Sequence, residues 1–149
     1  MRPYRSEMPE ADALKQLYDG AITSHGFDPS MRDYRIEVKR WIESEEGAPY
    51  TYRFTHCVFV EVASRLSPQT WVESWSTPTD LAGWEQSESG GFAWGVGWAN
   101  VEKASVVTGS DRARAWARQV GHDMQEAVIE TQVYRLTLVY FELVVSPRR

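Results

Sequence analysis

YTYRFTHCVFVEVA, residues 50–63, alternates more regularly than any other part of the chain. Tyr50, Tyr52, Phe54, His56, Val58, Val60 and Val62 fall on one face, and Thr51, Arg53, Thr55, Cys57, Phe59 and Glu61 on the other. That period of two belongs to a half-buried strand. Asp33 to Ile42 repeats it, with Tyr34, Ile36 and Val38 opposite Arg35, Glu37 and Lys39. The polar stretch Glu43 to Pro49 lies between them, so the two runs predict an antiparallel hairpin.

Outward from the hairpin the periods change. Residues 9–25 predict a helix, because Pro9 suits a first turn and Leu14, Leu17, Tyr18, Ala21 and Ile22 recur at helical spacing. His25 and Gly26 then stand at its C-terminal end. Ser67 to Trp75 reads either as a short helix opened by Ser67-Pro68 or as a strand, and residues 76–91 read as a long polar loop. Phe92 to Val101 alternates between a bulky face (Phe92, Trp94, Val96, Trp98) and a nearly bare one (Ala93, Gly95, Gly97, Ala99). Ser110 is a natural N-cap for a helix over about 111–130, along which Ala113, Ala117 and Gly121 form a small-residue stripe able to approach that bare face. Thr131 to Val145 reads as a final strand, apolar on both faces at Leu138 to Phe141 and therefore central.

This order predicts an α+β fold: a mostly antiparallel sheet of four to five strands packed by an N-terminal helix and a long C-terminal helix (about 111–130), with 131–145 as the final central strand. Length is consistent with residues 1–149 forming a single domain carrying the 76–91 loop, since 149 residues suffice for a core of ordinary size. The order of elements is similar to that of small phage tail-completion subunits, a likeness without a shared motif that implies an assembly role.

Charge and cysteine narrow the setting. The chain carries 16 Lys and Arg against 21 Asp and Glu, a net charge of −5. Nucleic acid and membrane are therefore not expected partners. Residues 41–102 hold only Arg53 and Arg65 against nine acids, and also six of the seven tryptophans. A solvated acidic edge is the plain reading of that imbalance, and a surface for a basic partner the sharper one. Cys57, the single cysteine, excludes an intramolecular disulfide and favours a reducing compartment, so a cytoplasmic location is expected. No apolar run approaches the length of a membrane span, and the first residues lack a signal-peptide core.

Catalytic signatures are missing. No Walker-type loop, Gly-x-Ser-x-Gly elbow, paired-cysteine zinc signature or His-Glu-x-x-His occurs, so no cofactor and no metal are expected. His56, on the apolar face of its strand, is the most interesting titratable residue: either a hydrogen-bonded core histidine or the base of a pocket. Cys57 points to the opposite face and reads as a packing residue. His122 reads as a surface residue one helical turn before Glu126. Trp71, Trp75, Trp84, Trp94 and Trp98 are candidates for core packing, for an interface, or for the walls of an aromatic pocket. Trp84 is the best interface candidate among them, because it stands alone in a polar loop.

The expected function is thus a non-catalytic interaction or assembly protein that joins a protein partner, or another copy of itself, through the acidic loop and a sheet edge. The alternative is a small-molecule-binding domain or hydrolase-like enzyme, with His56 as base and Trp94 and Trp98 as walls.

Overall fold

The computed structural model describes residues 10–42, 45–77, 80, 94 and 98–147. Among these residues are three short helices and eight antiparallel strands: α1 (Glu10–Lys15), β1 (Ala21–Phe27), β2 (Tyr34–Ile42), β3 (Glu45–Thr55), β4 (Phe59–Ser64), α2 (Pro68–Ser74), β5 (Ala99–Val106), α3 (Asp111–Val120), β6 (Gln125–Thr131), β7 (Tyr134–Tyr140) and β8 (Glu142–Pro147). The strands follow the order β4-β7-β6-β5-β1-β2-β3-β8.

The predicted hairpin is present, with Tyr34 opposite Phe54, Ile36 opposite Tyr52 and Val38 opposite Tyr50. The second arm, however, is not one strand. It breaks at His56, which adopts a left-handed backbone (φ 47°), and resumes as β4. The predicted final strand is also interrupted, at Phe141, between β7 and β8. These two bent strands pair with each other on both sides of the break: β3 with β8, and β4 with β7. Phe141 N–H donates to the Thr55 carbonyl and Val58 N–H to the Val139 carbonyl, each at 2.9 Å, which carries the ladder through the corner. The strands at the two ends of the order are therefore continuations of strands inside it, and the sheet wraps around one core.

That core draws on seven of the eight strands, and β4 contributes only Val60, partly buried against it. Ile22, Tyr34, Ile36, Val38, Tyr52, Phe54, Val101, Ala127, Ile129, Leu136, Leu138, Tyr140, Leu143 and Val145 are all buried within it. The rings of Phe54 and Tyr140 meet edge-on at 4.9 Å, a geometry worth about 1 kcal/mol beyond the area buried. Helix α1 adds Ala13 and Leu14, with Leu17 just beyond it. Six residues cannot hold a helix alone, and α1 is tied down by polar groups. The Glu10 carboxylate accepts from the Tyr140 hydroxyl and from Leu143 N–H, both at 3.2 Å. Arg40 donates to Gln16 Oε1 (2.8 Å) and the Tyr52 hydroxyl (2.9 Å), with its guanidinium 3.6 Å from the centre of the Tyr50 ring.

The α+β expectation of four to five strands and a long C-terminal helix is overturned. Its errors share a cause: spacing that fits a helix also fits a short helix followed by a strand. The region 9–25 stops being helical after Lys15, and Asp19 takes a left-handed conformation (φ 63°). At Gly20 a Cβ would come within 2.9 Å of the Leu17 carbonyl oxygen. Ala21 and Ile22 then pair with both β2 and β5, so His25 and Gly26 lie in a strand and not at a helix end. The helix expected over 111–130 does begin at its Ser110 cap, whose hydroxyl accepts from Ala113 N–H, but it ends at Val120. Gly121 terminates it in the left-handed conformation (φ 76°), and residues 125–131 become β6, with Ala127, Ile129 and Thr131 buried in alternation. The final strand 131–145 is likewise divided, although β7 does lie between β4 and β6 as its two-sided apolarity predicts. Residues 68–74 take the helical of the two readings. Ala93, Gly95, Gly97 and most of the 76–91 loop lie outside the described residues; helix α3 packs on β6 and β7. The likeness to phage tail-completion subunits rested on the predicted order and lapses with it.

Candidate functional site

Two places on this framework expose chemistry. The first is α2 and the strand before it. Ser67 caps the helix, accepting from Thr70 N–H, and Pro68 occupies its first turn, so the local sequence specifies the start of the helix without tertiary help. None of its side chains is buried: Trp75 is 81% exposed, Val72 64% and Trp71 40%. Trp71 Nε1 donates to Ser64 Oγ at 2.9 Å, fastening the helix to the last residue of β4. The Trp71 ring also lies 5.2 Å from that of Trp94. Strand β4 pairs with β7 alone, which leaves its other edge without a neighbouring strand among the described residues. Val62, on the same strand face as Ser64, is 51% exposed. Around this patch Glu61, Glu73 and Glu102 are exposed; Arg65 is bound to Glu102 at 2.8 Å, and Arg135, opposite Ala63 on β7, stands 3.6 Å from Glu130.

The second is the corner at His56. Asp33 builds it. Its carboxylate is buried and accepts from Arg32 Nε (2.8 Å), from Arg32 Nη2 (3.0 Å) and from His56 N–H (3.1 Å), while Arg53 stands 3.6 Å away and pairs with Asp28 at 2.9 Å. The Arg32 hydrogen bonds, with the His56 N–H and both guanidinium charges, hold the Asp33 carboxyl at a pKa of about 2 against the cost of burial. A charged group fixed at the bend thus stabilises the left-handed backbone of His56. The imidazole is turned outward, exposed and edge-on to Phe141, and does not face the core as the alternation predicted. Cys57 does face inward, and burial pushes its thiol up to about 12.

A third group is internal. The Tyr34 hydroxyl lies 2.6 Å from His25 Nδ1, and the His25 ring lies 4.9 Å from that of Tyr134. Burial lowers the pKa of His25 and raises both tyrosines to about 12. At neutral pH the hydroxyl therefore stays protonated, and it shares one hydrogen bond with the imidazole. That is a satisfied packing contact between β1 and β2.

Of the tryptophans singled out by sequence, the structure brings Trp71 beside Trp94 and sets Trp75 at the C-cap of the helix that carries Trp71. Trp98 is half exposed just before β5, and Trp84 lies outside the described residues. Among the described residues no tryptophan lines the hollow beside His56, which is formed with Val58, Val120, His122, Met124 and Phe141. Phe141 and His122 were missed because each was assigned to the interior of a longer element. Gly121 was the available signal: a helix stopped there releases His122 from the helix face.

Compared with known families, residues 7–148 match the family described as YxiG-like protein. No curated protein matches the chain.

Proposed function

The chain belongs to the YxiG-like protein family, and from that premise we propose that it is a non-catalytic protein-binding module whose working surface is α2 together with the open edge of β4. Membership brings no activity with it, so the reading rests on the surface itself. The observation that carries it is a helix that buries none of its side chains while displaying Trp71, Val72 and Trp75. Contiguous exposed apolar groups are costly to leave in water and mark interaction surfaces, and tryptophan is the residue most enriched among binding hot spots. The adjacent β4 edge, unpaired among the described residues, offers backbone groups to an extended segment. Exposed Glu61 and Glu73 favour a partner segment that carries Lys or Arg beside its apolar side chains. A cytoplasmic setting goes with this reading, since the free thiol of Cys57 persists best where thiols stay reduced.

The test has two arms. An array of extended peptides with alternating apolar and basic residues is screened by tryptophan fluorescence, and light scattering over a concentration series reads self-association. Trp75→Ala should weaken whichever association is found by about 30-fold, the equivalent of a hot spot worth about 2 kcal/mol, with the melting temperature nearly unchanged. Absence of both peptide binding and self-association, or an association indifferent to Trp75→Ala, refutes the proposal.

A further inference from the structure

The two interrupted strands stand side by side at His56 and Phe141, and α3 ends beside them at Gly121. Between these three ends lies a half-enclosed hollow of about 180 Å³, walled by His56, Val58, Val120, His122, Met124 and Phe141. Its accessible lining is almost wholly apolar. Both imidazoles pack steeply against the Phe141 ring, His56 at 5.8 Å and 89°, His122 at 5.7 Å and 68°, and almost no polar surface of either faces the hollow. Val120 and Phe141 are each 39% exposed, so apolar surface is held open to water here, on residues separate from the tryptophan surface.

Such a lining excludes as much as it admits. A charged or strongly hydrogen-bonding group placed within these walls gives up its water and meets no partner in exchange. Water itself is held well only where two to four polar groups surround it. An uncharged apolar molecule gains on both counts: it takes the valine, methionine and phenylalanine surfaces out of water and makes the dispersion contacts with them that water makes poorly. Size sets the scale of the ligand. A cavity of roughly 150 Å³ accommodates benzene, so this hollow takes one ring with at most a short substituent. The Phe141 ring and the Met124 thioether favour an aromatic ring over an aliphatic one. Half enclosure by two strands and a helix end suits a whole small molecule, whereas a protein partner is met by a flatter face. A wider hollow adjoins this one, sharing His122 and Phe141 and adding Ala117, Arg118, Gly121 and Asp123, and it provides the route from solvent. We infer that this corner binds a small uncharged aromatic molecule, held by packing against Val58, Val120, Met124 and Phe141.

Benzene is the probe, with sodium benzoate (the same ring with a charge) and tert-butanol (uncharged, without a ring) as comparators, followed by amide and methyl NMR shifts of the whole chain. Benzene should give saturable shifts centred on the six lining residues with a Kd of about 1 mM, and both comparators should bind at least about tenfold more weakly. Met124→Gln keeps the length of the side chain and sets an amide in the wall, and it should weaken benzene about tenfold. Val120→Lys should do the same by laying its stem across the hollow, at an exposed position in the last turn of α3 where a cation suits the helix end and folding is not at risk. Trp75→Ala should leave benzene binding unchanged, which separates this site from the protein-binding surface. No saturation by about 10 mM, shifts centred elsewhere, benzoate or tert-butanol binding as tightly as benzene, or full affinity in both Met124→Gln and Val120→Lys overturns the inference.

Discussion

Replacing Asp33 by Ala tests whether one buried carboxylate sets the corner on which the His56 hollow depends. Its folded pKa of about 2 stands against 3.8 for the unexceptional carboxyl. Each unit is worth about 1.4 kcal/mol, giving a ceiling of about 2.4 kcal/mol in favour of the folded state. The arginine side chains that supply much of this are 59% (Arg32) and 39% (Arg53) exposed, so solvent screening reduces it to about 1–2 kcal/mol. The variant also leaves His56 N–H without its acceptor, about 1 kcal/mol more. Urea denaturation at pH 7 should therefore find Asp33→Ala less stable by about 2–3 kcal/mol. Asp33→Asn, which keeps an oxygen for His56 N–H, should lose only the charge-dependent part. The sign with pH follows from a depressed folded pKa: the stabilisation is complete above the unfolded value of 3.8 and is lost as pH falls through about 2. The gap between wild type and Asp33→Asn should fall to about half near pH 3. A gap under about 0.5 kcal/mol at pH 7, or one that stays constant from pH 7 to pH 3, would refute the assignment.

Two further outcomes follow from the packing. Gly20→Ala should destabilise the fold by about 1–3 kcal/mol in the same denaturation assay, because its new methyl meets the Leu17 carbonyl oxygen at 2.9 Å and the backbone there is held on both sides, by Leu17 and by Val101. Cys57 should resist alkylation in the folded protein and react only as the chain opens, since its thiol is buried with a pKa of about 12. A second-order reaction at the rate of a free thiol, at pH 8 and without denaturant, would contradict that placement.

Different parts of the chain were legible to different degrees. The inward faces of β2 and β3 could be read directly, because alternation over Tyr34 to Val38 and Tyr50 to Phe54 has one solution, a strand with one face in the core. The start of α2 at Ser67-Pro68 and of α3 at Ser110 could be read as well, since caps are local hydrogen bonds between neighbours in sequence. The ends of elements were harder. Ala21 and Ile22, and likewise Ala127 and Val128, satisfy helical spacing and strand alternation alike over so short a run. Only pairing with distant strands, β1 to β2 and β6 to β7, decides between them. The tryptophans on α2 were legible as candidates, and their exposure was not, because burial depends on what packs against the helix.

No sequence pattern could have placed His56 at a corner or beside Phe141 and His122. The bend at His56 draws on Asp33, 23 residues earlier, and it matters only because a second strand bends beside it at Phe141. By itself the sequence determined the antiparallel β2–β3 pair, the local helix starts and the acidic, tryptophan-rich character of the middle of the chain. These follow from side-chain periodicity and charge, which are properties of near neighbours. Closure of eight strands around one core, the outward turn of His56 and the hollow at the end of α3 were decided by tertiary structure, because each is a contact between residues far apart in the chain, and the free energy of such contacts is present only once both partners have been brought together.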